Sequence, residues 1–331
     1  MAAISAMAAA VAIDAQNGSI QVGQSGGANS SIISNGSTLS IVNATTISIG
    51  ALTSTNNAIT ASGAVTITDA ASNNTAITIT GDAANATVAN RIVSDTGAVT
   101  LGTTGAQIGD ITMSGAFARV NASTAVSIDT TGSIGLDAAN TAIGGASVDI
   151  VNVANVNIGA AAAGLDDTRI EATAGALSIA NATAITIGNG AGSDNNAILA
   201  TGAVTITDAS NATTISLNGD AANATVANRI VSSTGAATLG NATNQIGAIT
   251  LDGEFAQISG QTNAAISSVG NVTLSGTSAQ ISGQTSTNVT TTGANASIVI
   301  SGADTLIGVD VAANDTGDVT VNASGALLLH G

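Results

Sequence analysis

Fourteen consecutive residues, GDAANATVANRIVS, occur twice in this chain of 331, at 81–94 and again at 219–232. The surrounding sequence repeats with them. GAVTITDA stands at 63–70 and at 202–209; GSTLSIVNATTISIG at 36–50 is answered by GALSIANATAITIG at 175–188. Downstream, QIGDITMSGAFARV at 107–120 is answered by QIGAITLDGEFAQI at 245–258. A tandem duplication of about 138 residues accounts for all four matches, with copies over about 36–120 and 175–258. A period that long holds several structural units, and repeat architectures stack such units so that each buries the face of the next.

A shorter unit recurs inside each copy: a Gly or Asn turn, then three to five alternating residues. Val65 and Ile67 fall on one side of their segment and Thr66 and Thr68 on the other, the period-two pattern of a half-buried strand. Ala76–Thr80, Ala98–Leu101 and Asp110–Met113 repeat that pattern. Val, Ile and Thr favour strands, and the Gly and Asn between them tolerate left-handed backbone angles.

Composition decides which β architecture these strands build. Hydrophobic residues reach 44% while aromatics are 1%, with two Phe and neither Trp nor Tyr. A β-sandwich centre is commonly filled by bulky aromatics, whereas Ala, Val, Ile and Leu suit a narrow interior in which like stacks on like. Asn and Thr at matched positions can then form ladders between rungs. The expectation is an all-β, elongated parallel β-solenoid (β-helix). An apolar segment, 1–16, precedes a single solenoid body over 17–331. Disorder is at odds with β-branched residues throughout and a mean hydropathy of +0.44.

At this point a resemblance can be stated. GAVTITDA, NATTISIG (43–50) and AAISSVGNVTLSG (264–276) resemble the β-strand repeats of bacterial filamentous haemagglutinins and related autotransporter-type adhesins. The resemblance covers most of the chain. It implies a secreted right-handed parallel β-helix acting at the cell surface, with other cells, surfaces or matrix as partners. This chain is shorter than those adhesins and shows no recognisable secretion domain, which implies a subunit that assembles.

Charge and residue inventory exclude several function classes. The net charge is −16, the four basic residues are Arg91, Arg119, Arg169 and Arg229, and no basic cluster exists. Phosphate backbones and anionic membrane surfaces are therefore repelled. Residues 1–13 are too short to span a bilayer, which needs about 20 apolar residues. They read either as the remnant of a signal peptide or as a terminal element. Cysteine is absent, so there is no disulfide framework and no thiolate metal site.

Catalysis has little to work with. The one histidine, His330, is the penultimate residue, and no nucleophile elbow stands out. The expectation is that the protein is not an enzyme and needs no cofactor. For calcium, the duplicated Asp82 and Asp220 are the candidates, but the G-G-x-G-x-D series of calcium-binding β-helices is missing. Asp69, Asp208 and the Asp166-Asp167 pair are further acidic positions; the competing reading of the duplicated ones is turn residues bonding their own backbone. Asn-x-Ser/Thr sequences include Asn43, Asn85, Asn181 and Asn223, either glycan acceptors or turn chemistry copied by the duplication. Arg91 and Arg229 occupy equivalent positions and are expected to pair with surface carboxylates. Thr66/Thr68, Thr78/Thr80 and Thr205/Thr207 raise an ice-binding alternative, which needs such pairs in register on nearly every rung.

The ends carry the sharpest functional expectation. A solenoid exposes unpaired backbone and apolar core at its first and last rungs unless they are capped. Ile4, Met7, Val11 and Ile13 at one end and Leu327, Leu328 and Leu329 at the other are the residues expected to dock subunit on subunit. Ile4, Met7 and Val11 share a helical face, whereas Val11 and Ile13 share a strand face. A head-to-tail contact that does not close gives an open homopolymer. The alternative is a non-polymerising adhesin whose first thirteen residues fold back over its own first rung.

Overall fold

A computed structural model describes residues 2–6, 11–16, 19–22, 30–35, 37–50, 56–70, 75–80, 89–158, 168–188, 195–218, 227–308, 318–323 and 327–329. Among the described residues every regular element is a β-strand and none is a helix. The chain divides into two compact units, Met1–Ala162 and Ala163–Gly331. Each is a parallel β-solenoid coiled from three sheets, as the alternation and the small apolar side chains imply.

Parallel strands cannot be joined by a tight hairpin. The solenoid solves this by passing through all three sheets before returning, one rung further on, to the first. In the first unit, sheet 1 stacks Ala2–Ala6, Ser30–Ser34, Asn56–Ala61 and Ala89–Ser94. Sheet 2 stacks Val11–Asp14, Leu39–Val42, Val65–Thr68, Val99–Leu101, Ala125–Asp129 and Ser147–Val151. Sheet 3 begins with Ser19–Val22, Thr46–Gly50 and Ala76–Thr80. Two twelve-residue strands, Ile111–Ala122 and Ile134–Gly145, then run from sheet 3 straight into sheet 1 of the next rung.

The second unit repeats the plan. Sheet 1 holds Thr168–Ala172, Asn195–Ala200, Ala227–Ser232, Phe255–Gly260, Ser278–Gly283 and Asp304–Gly308. Sheet 2 holds Leu177–Ala180, Val204–Thr207, Ala237–Leu239, Asn263–Ser268, Ser286–Thr291 and Asp318–Ala323. Sheet 3 holds Ala184–Ile187, Thr214–Asn218, Ala248–Asp252, Val272–Ser275, Ile298–Ser301 and Leu327–Leu329.

Register turns sequence alternation into columns. Neighbouring parallel strands lie about 4.8 Å apart, so each inward residue rests on its counterpart one rung away. One column runs Ile32, Ile59, Ile92, Val120 and Ile143, all fully buried. Its counterpart in the second unit runs Ile170, Ile198, Ile230, Ile258 and Ile281, equally buried. These columns fill the core with branched aliphatic side chains.

The corners are built from turn chemistry and inter-rung bonds. Asn43, Asn152, Asn181 and Asn211 take left-handed angles (φ 54 to 57°) after sheet 2 strands. Gly102 and Gly240 hold that corner in other rungs at φ 75° and 71°, and a Cβ there would collide with the carbonyl oxygens of Asp129 and Ser267. At the corner after sheet 1, the Ser94 hydroxyl donates to the Gly63 carbonyl and accepts from the Gly97 N–H. Ser232 repeats the staple with Gly202 and Gly235.

Candidate functional site

The first rung is where the core meets the outside. Residues expected there as a docking element are strands paired to the second rung: Ala2–Ala6 on Ser30–Ser34 and Val11–Asp14 on Leu39–Val42. Strand geometry, not helix, therefore sets which side chains share a side. Ile4 heads the inward isoleucine column, in register with Ile32, yet it is 40% exposed where Ile32 is 0%. Val11 and Ile13 are half-buried above the fully buried Leu39 and Ile41. Ile20 and Val22 complete the rung above Ile47 and Ile49. Met7 lies outside the described residues.

At the other end, Leu327 and Leu329 are in register with the buried Ile298 and Ile300, and Leu328 with Val299. Ile307 stands in register with Ile281. Leu306, in the same rung, is 56% exposed at the position of the outward Gln280.

The acidic positions divide. Asp82 and Asp220, the calcium candidates, lie outside the described residues, as do Asp166, Asp167 and His330. Asp208 is 2% exposed and closes the corner between sheets 2 and 3. Its carboxylate accepts from the Ser210 hydroxyl and from the N–H groups of Ser210, Ala212 and Thr213, at 2.7–2.9 Å. Burial by itself raises the pKa of such a group; these bonds, the Ser210 hydroxyl foremost, outweigh it and hold Asp208 at about 2. Asp69, fully buried, accepts from the Thr75 N–H at 3.1 Å at the matching corner. Both use their oxygens on their own turn. No group of three or more His, Asp or Glu that could hold a metal occurs among the described residues.

The described Asn-x-Thr asparagines do the same kind of work. The side-chain oxygens of Asn43 and Asn181 accept from the Ala70 and Ala209 N–H groups of the next rung, at 3.3 and 3.1 Å. Asn85 and Asn223 lie outside the described residues.

Another set of asparagines was not singled out from the sequence. Asn57, Asn90, Asn196 and Asn228 are fully buried inside sheet 1. Asn57 donates to Asn90 and Asn196 to Asn228, each at 2.9 Å, and the second of each pair donates on to a carbonyl, of Ser114 or Asp252. A signal was present: in NNAI and ANRI the asparagine stands two residues before an inward Ile, so strand parity turns it inward.

All four arginines stand at one outward position of sheet 1. Arg91 and Arg119 are register neighbours in the first unit; Arg169 and Arg229 flank Ala197 in the second. The ion pair among the described residues is Arg169 Nε to Glu171 Oε2, 3.2 Å, within one strand. The expected carboxylate partners of Arg91 and Arg229 are not found among the described residues. The Thr-x-Thr pairs form no repeating array: Thr66/Thr68 stands in register with Ser40/Val42, and Thr205/Thr207 with Ser178/Ala180. Among the described residues no helix is long and apolar enough to cross a membrane.

No protein-family model matches the chain, and neither the comparison with curated proteins nor that with solved structures finds a match. The fold itself defines the class, a parallel β-solenoid of the kind that β-helix adhesins use. Among the described residues the exposed large hydrophobic side chains are Ile4 in the first rung and Leu306 in Asp304–Gly308.

Proposed function

We propose that the protein is a structural subunit of an extracellular fibre, joined to further copies of itself by stacking the last rung of one on the first rung of the next. The observation that carries this reading is the graded exposure of one column, from Ile4 at 40% to Ile32 at 0%. Covering that rung removes apolar surface from water, the dominant favourable term in association. The register positions correspond sheet by sheet. In such a stack Asp304–Gly308 would continue into Ala2–Ala6 in sheet 1, Asp318–Ala323 into Val11–Asp14 in sheet 2, and Leu327–Leu329 into Ser19–Val22 in sheet 3. Such a contact is heterologous, so it propagates instead of closing. The unpaired backbone of the two terminal rungs would complete each other's ladders in the same step.

The placement outside the cell rests on the resemblance of the strand repeats to secreted adhesins. The reading gives the protein no catalytic role and no cofactor. A non-polymerising adhesin is the competing reading, in which the same walls act without end-to-end contact. The isolated Thr-x-Thr pairs weigh against an ice-binding face.

Negative-stain electron microscopy of the purified full chain, beside Ile4→Asp/Ile13→Asp and a deletion of residues 1–13, tests the proposal. Fibres are expected from the full chain and only short particles from both variants. Particles without fibres from the full chain at every concentration, or unaltered fibres from the variants, would overturn it.

A further inference from the structure

The second unit carries a groove of about 380 Å³ on the outer side of sheet 1, across three successive rungs. Its walls come from a short sequence written twice: QISGQT at 257–262 and again at 280–285. Register lays the copies on each other, Gln257 on Gln280, Ser259 on Ser282 and Gly260 on Gly283. Val231, Ser232 and Ser233 continue the groove on the rung before, and Gln261 and Gln284 stand at its edge.

The polar groups lining this groove are partly used and partly free. Gln257 Nε2 donates to Gln280 Oε1 at 2.8 Å, and the Ser282 hydroxyl donates to Ser259 at 3.3 Å. Among the described residues, the Gln257 oxygen, the Gln280 amide nitrogen and the side chains of Ser233, Gln261 and Gln284 have no protein partner. The groove therefore presents donors and acceptors together, repeating once per rung, about every 4.8 Å. None of its lining residues is charged, in a chain of net charge −16.

We infer that this groove binds an uncharged, polyhydroxylated chain, a neutral glycan lying along the stack. Hydroxyl groups of such a ligand both donate and accept, matching the mixed amide and hydroxyl lining. An anionic glycan meets the repulsion of the whole acidic chain; Arg229, in register with Gln257 on the rung before, borders the groove but is not among its lining residues. A peptide strand would need an open sheet edge, whereas here the neighbouring backbone is already paired on both sides. Without an aromatic platform each contact is a hydrogen bond exchanged for one to water. Affinity for a short oligosaccharide is accordingly low, and a longer chain gains by engaging successive sites. The inference deepens the surface-fibre reading by giving its wall a ligand, but it does not depend on end-to-end assembly.

Saturation-transfer NMR and calorimetry on the full chain test it, with cellohexaose and chitohexaose as neutral probes and a heparin hexasaccharide as the anionic one. Binding of at least one neutral hexasaccharide is expected. Gln257→Ala/Gln280→Ala should weaken it about tenfold, as should Ser259→Leu/Ser282→Leu, which fills the groove. Arg91→Ala/Arg119→Ala, in the other unit, should leave it unchanged, and circular dichroism of each variant checks that the solenoid is intact. Binding of heparin alone, no signal from either neutral probe, or neutral binding untouched in folded groove variants overturns the inference. Fibres seen by microscopy in that event leave the structural reading standing.

Discussion

Single residues decide the corners of this solenoid, and Asp208 is the clearest case. It is a buried carboxylate whose charge is stabilised by its own turn, with no ion pair to it among the described residues. Its pKa is depressed from 3.8 to about 2, so the stabilisation is fully present above the unfolded value and is lost as pH falls through the folded one. That window, from about pH 4 down to about pH 2, corresponds to about 2 kcal/mol. Urea midpoints at pH 6 and pH 2.5 should therefore differ more for the wild type than for Asp208→Asn, which cannot lose the charge. An equal drop in both would remove Asp208 as a source of acid sensitivity. Gly102 and Gly240 act at the same scale, since no other residue satisfies both the backbone angle and the close approach of the next rung.

At the scale of the element, sheet 1 differs from the other two. Its inward column holds Asn196 and Asn228 before continuing as the buried Ala256 and Ala279. An apolar residue is thus sterically at home there, and the asparagines persist as a bonded pair. Removing one member breaks the pair: Asn228→Val takes away the bond that Asn196 donates and the one that the Asp252 carbonyl accepts, at about 1–3 kcal/mol. Replacing both removes most of that penalty, so Asn196→Val/Asn228→Val should cost less than Asn228→Val alone. Chemical denaturation of the three proteins measures it; additive losses would mean that the ladder stabilises by more than mutual satisfaction. The outer side of the same sheet concentrates the arginines and the Gln/Ser groove. Sheet 1 is where sequence is spent on something other than coiling.

For the whole molecule, the functional question is what lies on the terminal rungs. Stacking copies end to end couples folding to assembly, and anything that binds only the folded state raises apparent stability with concentration. The melting temperature of the full chain should rise as its concentration is raised from low to high micromolar. The rise should vanish in Ile4→Asp/Ile13→Asp. A melting temperature independent of concentration, with fibres absent, would favour the non-polymerising adhesin.

The sequence by itself determined the β class, the strand positions and the stacking of like on like, because period-two alternation is local and survives without knowledge of the partner strand. It also exposed the repeat. Three sheets per rung were not legible, since the returns between matched strands vary from 22 residues (Ala125 to Ser147) to 34 (Val65 to Val99). Only register decided which polar residues meet. Asn57 and Asn43 look alike in sequence, yet one is sealed in the core and the other turns a corner. Arg91 and Arg119 lie 28 residues apart yet become neighbours, as do the two copies of QISGQT. Alternation says which side of a strand a residue takes; only the pitch of the coil says what lies above and below it.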